Sequence, residues 1–170
     1  MRTGLLRLIA GGFAIFSCAL SGVAAAPFDA ASDKAAQDDG EPRPFDEARD
    51  AMADVDAALA RAEARGVRAL LVLGGNWCHD SRGLAANFER PELAALIAEK
   101  YELVWVDVGR RDRNLEVAKR FGVGDLLGTP TVLIVSPAGD LLNADSVHDW
   151  RDAASRSEAE TLAYFARQAG

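Results

Sequence analysis

Ala69-Leu70-Leu71-Val72-Leu73 is an unbroken apolar run, and it limits the fold more than any other part of the chain. A run this short and continuous suits a strand buried on both faces of a sheet, so helices must cover both faces. Residues 103–108 and 131–135 repeat the signal. Helical spacing separates them, with Met52, Val55, Ala58 and Leu59 aligned in 45–65 and Leu162, Phe165 and Ala166 inward in 155–168. Gly66 is a helix stop, Pro91 interrupts the helix that begins near Cys78 or starts a second one over 92–100, and 114–121 is helical up to Gly122 or Gly124. Pro137-Ala138-Gly139-Asp140 is a turn into a short strand near Leu141 and Leu142. The alternation predicts an α/β fold with a central mixed β-sheet and helices on both faces. Helical crossovers make the first strands parallel, and the tight turn makes the last pair antiparallel.

The chain has 170 residues, enough for one domain with a substantial core. Residues 1–26 read as a secretory signal, with Arg2 and Arg7 before an apolar stretch too short to span a bilayer comfortably. Ala24-Ala25-Ala26 supplies small residues for cleavage. Pro27 disfavours a cut after Ala26, which leaves a cut after Ala25 or an uncleaved anchor. Cys18 is either lost with the signal or a lipid-attachment site; Ser17 fits that pattern and Phe16 fits it poorly. The expected location is periplasmic or secreted, with no stable membrane span after cleavage. Residues 27–44 are polar, acidic and proline-containing, and read as a linker ahead of a domain over 45–170. Loss of 1–26 leaves 17 basic against 26 acidic residues, a net charge of −9, which disfavours nucleic acid and anionic membranes as partners.

Cys78 is then the remaining cysteine, where the first apolar strand gives way to a helix. A helix N-terminus offers unpaired N–H groups and the positive end of the dipole, and both favour the reactive thiolate. An exposed, acidic thiol is therefore expected. Ser81 stands where Cys-x-x-Cys would place its second cysteine, so no internal disulfide can form. Ser81 can donate to the thiolate or bond only to backbone. His79 can support the thiolate or lie solvated in the loop, Asp80 opposes the thiolate and either caps the helix or meets a client, and Trp77 can flank the thiol as a client platform or merely pack.

Three segments resemble the thioredoxin-like family over about residues 45–169. Trp77-Cys78-His79-Asp80-Ser81 stands in the place of the family's Trp-Cys-x-x-Cys, Gly128-Thr129-Pro130-Thr131 looks like its cis-proline loop, and Pro137-Ala138-Gly139 matches its final turn. The helix over 91–100 and the following strand look like exported bacterial members. The resemblance implies a thioredoxin-like fold, a cis Pro130, and Thr129 backbone beside Cys78 to receive an extended client. It implies protein thiols or disulfides as partners, with glutathione as a further candidate. Val72 stands where many members carry a buried acid serving the resolving cysteine, so Val72 and Ser81 depart together.

The resulting expectation is an exported monothiol exchange protein. Cys78 is the nucleophile, Ser81 and His79 tune it, and Trp77, Thr129 and Pro130 hold the client. The alternative is a binding module on the same fold with a normal or buried thiol. Cys78, His79, Asp80 and His148 include metal-ligand types, but their spacing assigns neither metal nor cofactor. Arg110, Arg111 and Arg113 either bind an anion, such as a glutathione carboxylate, or form a solvated loop.

Overall fold

The computed structural model describes residues 40–170; the expected signal segment, Cys18 and most of the expected linker lie outside them. Residues 40–50 form no helix or strand. Phe45, expected to begin the first helix, is instead buried in the core. Its backbone N–H donates to Asn76 Oδ1 at 3.2 Å, and its carbonyl accepts from Asn76 Nδ2 at 2.7 Å. Helix α1, Ala51–Arg65, starts after Asp50, whose carboxylate accepts from the Ala53 N–H at 3.0 Å. It ends at Gly66, whose φ of 66° is the left-handed value that glycine tolerates best.

The chain continues through β1 (Arg68–Gly74), α2 (His79–Phe88), α3 (Pro91–Lys100), β2 (Tyr101–Asp107), α4 (Leu115–Arg120), β3 (Thr131–Val135) and α5 (Glu158–Arg167). A single 3-10 turn at Ala153–Ser155 precedes α5. The strands lie in the order β2-β1-β3, so the most apolar strand is central. Alternation along β1 divides the core in two. Ala69, Leu71 and Leu73 pack with Val55, Ala58 and Ala62 of α1 and Val117 and Ala118 of α4. Leu70 and Val72 pack with Leu84, Phe88, Leu93 and Ile97 of α2 and α3 and Phe165 of α5. Helices thus cover both faces. No helix among the described residues is long and apolar enough to cross a membrane.

β1 and β2 pair in parallel, while β3 runs antiparallel to β1, with Leu73 opposite Thr131. The rule for helical crossovers does not extend to β3. After the short α4, residues 121–130 carry the chain over the end of the sheet and turn it back. The short strand expected near Leu141 and Leu142 is reduced to a single bridge between Val135 and Leu141. Beyond that bridge, the fully buried Asn143 side chain takes over part of the ladder. Its Oδ1 accepts from Ile134 N–H at 2.8 Å, and its Nδ2 donates to the Val132 carbonyl at 2.9 Å. Amide side chains carry both a donor and an acceptor, so one asparagine satisfies two backbone groups of β3.

Candidate active site

The end of β1 and the start of β3 meet at one end of the sheet. Gly74 and Gly75 carry the chain out of β1, and the Cys78 N–H donates to the Gly75 carbonyl at 3.0 Å, closing a tight turn. A Cβ on Gly75 would lie 2.6 Å from the Trp77 indole nitrogen, so the indole keeps this position only against glycine. Cys78 is the N-cap of α2, with extended φ and ψ of −90° and 120°. Its side chain caps no helix N–H. Its carbonyl accepts the first helical bond, from Arg82 N–H, at 3.1 Å.

The Thr129–Pro130 peptide bond is cis. The Cys78 thiol donates to the Thr129 carbonyl oxygen at 3.3 Å. Thr131 continues the support, its hydroxyl donating to the Gly128 carbonyl at 2.9 Å and standing 3.2 Å from His148 Nδ1. Burial lowers the His148 proton affinity and Arg151 lowers it further, while Asp149 opposes both. The neutral imidazole is therefore favoured beside Thr131.

Trp77 is 45% exposed and Leu127 61% exposed, one just before the cysteine and the other two residues before Thr129. The Trp77 indole N–H donates to the Gly109 carbonyl at 2.6 Å, and the Arg110 guanidinium lies 4.9 Å from the ring centroid. These contacts hold the indole as an open platform.

Three expectations are corrected. Cys78 is only 9% exposed, so the thiol is buried rather than exposed, because the residues around Thr129 fold back against it. Ser81 is wholly buried and its hydroxyl has no hydrogen-bond partner among the described residues, so the expected bond to Cys78 is absent. The Ser81 hydroxyl lies instead toward Gly74 and Phe45, where a Cβ on Gly74 would strike it. Asp80 neither caps α2 nor faces solvent alone: its carboxylate accepts from the Ala154 N–H at 3.1 Å, pinning α2 to the 3-10 turn. His79 is exposed, and its side chain makes no hydrogen bond among the described residues.

Cys78, Trp77, Thr129 and Pro130 are thus brought together, while His79 lies at the rim and Ser81 faces inward. Leu127, Gly109 and Arg110 belong to the same surface; Arg110 was singled out in the sequence for its charge, whereas Leu127 and Gly109 carry no sequence signal. No group of three or more His, Cys, Asp or Glu among the described residues is arranged to hold a metal ion. Val72 is fully buried among apolar side chains, where an ionised acid would be costly.

A sequence profile described as thioredoxin-like matches residues 50–137. A crystal structure of a disulphide isomerase from Xylella fastidiosa Temecula1 is similar, with 34% identity and a TM-score of 0.71 over 76% of this chain and 98% of that one. A thioredoxin from Thermus thermophilus is more distant, at 23% identity and a TM-score of 0.48 over 66% of this chain and 82% of that one. No curated protein sequence matches. The chain belongs to the thioredoxin-like family.

Proposed function

We propose that the protein is an exported thiol–disulfide exchange protein that works through Cys78 alone. Exchange is supported at the level of the family and by likeness to a disulphide isomerase. The observation that carries the reading is the Cys78 sulfur, at the N-terminus of α2, against the Thr129 carbonyl next to the cis proline. The thiol loses its proton and the thiolate attacks one sulfur of a client disulfide. A Cys78–client bond forms as the client's own S–S bond breaks, and the second client sulfur leaves as a thiolate. Without a resolving cysteine, release falls to a client thiolate or to glutathione, which attacks the client sulfur of the mixed disulfide, forms a new disulfide there and returns Cys78 as the thiolate. Thr129 backbone and the Trp77 platform hold the client as an added strand. Export rests on the apolar, acid-free stretch at residues 1–26.

The test is recovery of native pairing in a client with scrambled disulfides, by reduced protein and by Cys78→Ser. Recovery lost in the variant, with a trapped Cys78–client adduct in the wild type, is the expected result. Equal recovery by both sinks the reading.

The burial of Cys78 favours a second reading, a binding module that holds an extended partner without exchange. Cys78→Ala then binds the partner as tightly as the wild type and no mixed disulfide is ever trapped.

A further inference from the structure

Beside the Trp77 platform lies a cleft of about 280 Å³ lined by Arg110, Arg111, Leu115, Lys119, Gly124, Asp125 and Leu126. Its cations contrast with a chain of net charge −7. Arg113, which the sequence grouped with Arg110 and Arg111, turns away to Glu47 at 3.2 Å and Asp107 at 3.7 Å. Arg110, Arg111 and Lys119 are exposed and form no ion pair among the described residues. Asp125 is the one acid in the lining, against three cations, so the cleft is net positive.

The cleft is tied to both walls of the thiol site. Arg110 lies over the Trp77 ring, next to Cys78. Arg111, held at a left-handed φ of 70°, donates from Nη1 to the Leu126 carbonyl at 3.3 Å, three residues before Thr129. At this size the cleft falls below the roughly 300–1,000 Å³ of drug-sized ligand sites. It suits one small anionic group carried by something that extends further.

We propose that this cleft receives a carboxylate borne near the reacting sulfur of the disulfide substrate, and so selects anionic substrates for Cys78. The inference rests on the exchange reading above and adds substrate charge to it. Such a carboxylate comes from an acidic residue flanking the cysteine of a protein client or from glutathione. Exposed cations beside a reactive group raise the local concentration of an anion and its encounter rate, and salt weakens both.

The experiment measures second-order rates of Cys78 with dithiobis(nitrobenzoic acid) and with its neutral carboxamide analogue. The wild type is compared with an Arg111→Gln/Lys119→Gln variant, both positions being exposed and away from the core. The expected result is a fall of roughly tenfold in the anionic-to-neutral rate ratio in the variant, and a ratio in the wild type that declines with salt. Oxidised glutathione and paired Glu-flanked and Gln-flanked peptide disulfides then separate the sources. A variant defect confined to the Glu-flanked peptide assigns the carboxylate to protein clients, and one confined to glutathione assigns it to the small thiol. A ratio unchanged by the substitutions, or equal losses with charged and neutral disulfides, overturns the cleft's role while leaving exchange standing. A wild type that reacts with neither disulfide overturns both.

Discussion

The Cys78 sulfur and the Thr129 carbonyl oxygen share a hydrogen bond of 3.3 Å across a separation of 51 residues. Only a protonated sulfur can make it, whereas attack on a disulfide needs the thiolate. Resting contact and reaction therefore exclude each other. In the proposed reaction, a client N–H that takes the Thr129 oxygen replaces the thiol as its donor. Client docking and release of the sulfur then occur at one atom, which gives a largely buried cysteine a route to reactivity.

Ser81→Ala is expected to stabilise the protein by about 1 kcal/mol, because it removes a buried hydroxyl that has no partner among the described residues. Denaturant unfolding measures this, and a loss of stability contradicts it. The exchange rate of the same variant stays within about twofold of wild type. A tenfold loss would mean that the hydroxyl swings to the sulfur during reaction.

Asn143→Ala is expected to cost about 2–4 kcal/mol, since it orphans the Ile134 N–H and the Val132 carbonyl in a buried ladder. Asn143→Leu fills the volume and restores neither bond, so it should fare no better. A cost below about 1 kcal/mol for either variant would show that β3 satisfies these groups by other means.

Glu102 on β2 receives Arg61 of α1 at 2.7 Å and Arg65 at 2.5 Å. Burial raises the affinity of its carboxyl for a proton, but the hydrogen bonds and charges of the two arginines outweigh this, and its pKa lies below the usual value of 4.5. With the folded value depressed, the stabilisation is present above the unfolded pKa and is lost as pH falls through the folded one. Glu102→Gln should therefore lower Tm at neutral pH and lose less stability than wild type on acidification. Parallel Tm–pH curves below about pH 5 would contradict this.

His148 acts in the same direction at higher pH, for a different cause. Its folded pKa is lowered from 6.5, chiefly by burial, so the unfolded chain binds more protons between the two values. Stability is at its full value above the unfolded pKa and declines as pH falls through it toward the folded one. His148→Asn should flatten the fall of Tm between roughly pH 7.5 and 5. A slope identical to wild type would remove His148 from the account.

The sheet and its helices were legible because apolar spacing reports directly on which residues face a core. Ala69 to Leu73 showed a strand covered on both sides, and Val55, Ala58 and Leu162 showed the covering helices. The pairing of Cys78 with Pro130 was legible through resemblance, not spacing. What stayed hidden depends on loops. The burial of Cys78 follows from how residues 125–130 fold back, and those residues have no period. Asn143 looks like an ordinary turn residue until its amide is found completing β3. The inward-facing Ser81 and the turned-away Arg113 show the same limit, since a side chain's partner is set by tertiary placement.

Leu73 faces Thr131 across the β1–β3 ladder, and each half of the site hangs from one end of that pairing. The gap between sulfur and carbonyl is thus measured by strand register, with the long connection between them free of that duty. Residues inserted at the exposed 110–113 turn, ahead of the core helix α4, reshape the rim while the Cys78 sulfur and the Thr129 carbonyl keep their distance. A single-residue insertion inside β1 or β3 has the opposite outcome, since it turns every following side chain to the other face. In the proposed exchange, loop length at the 110–113 turn sets which clients are admitted and strand register preserves the reaction.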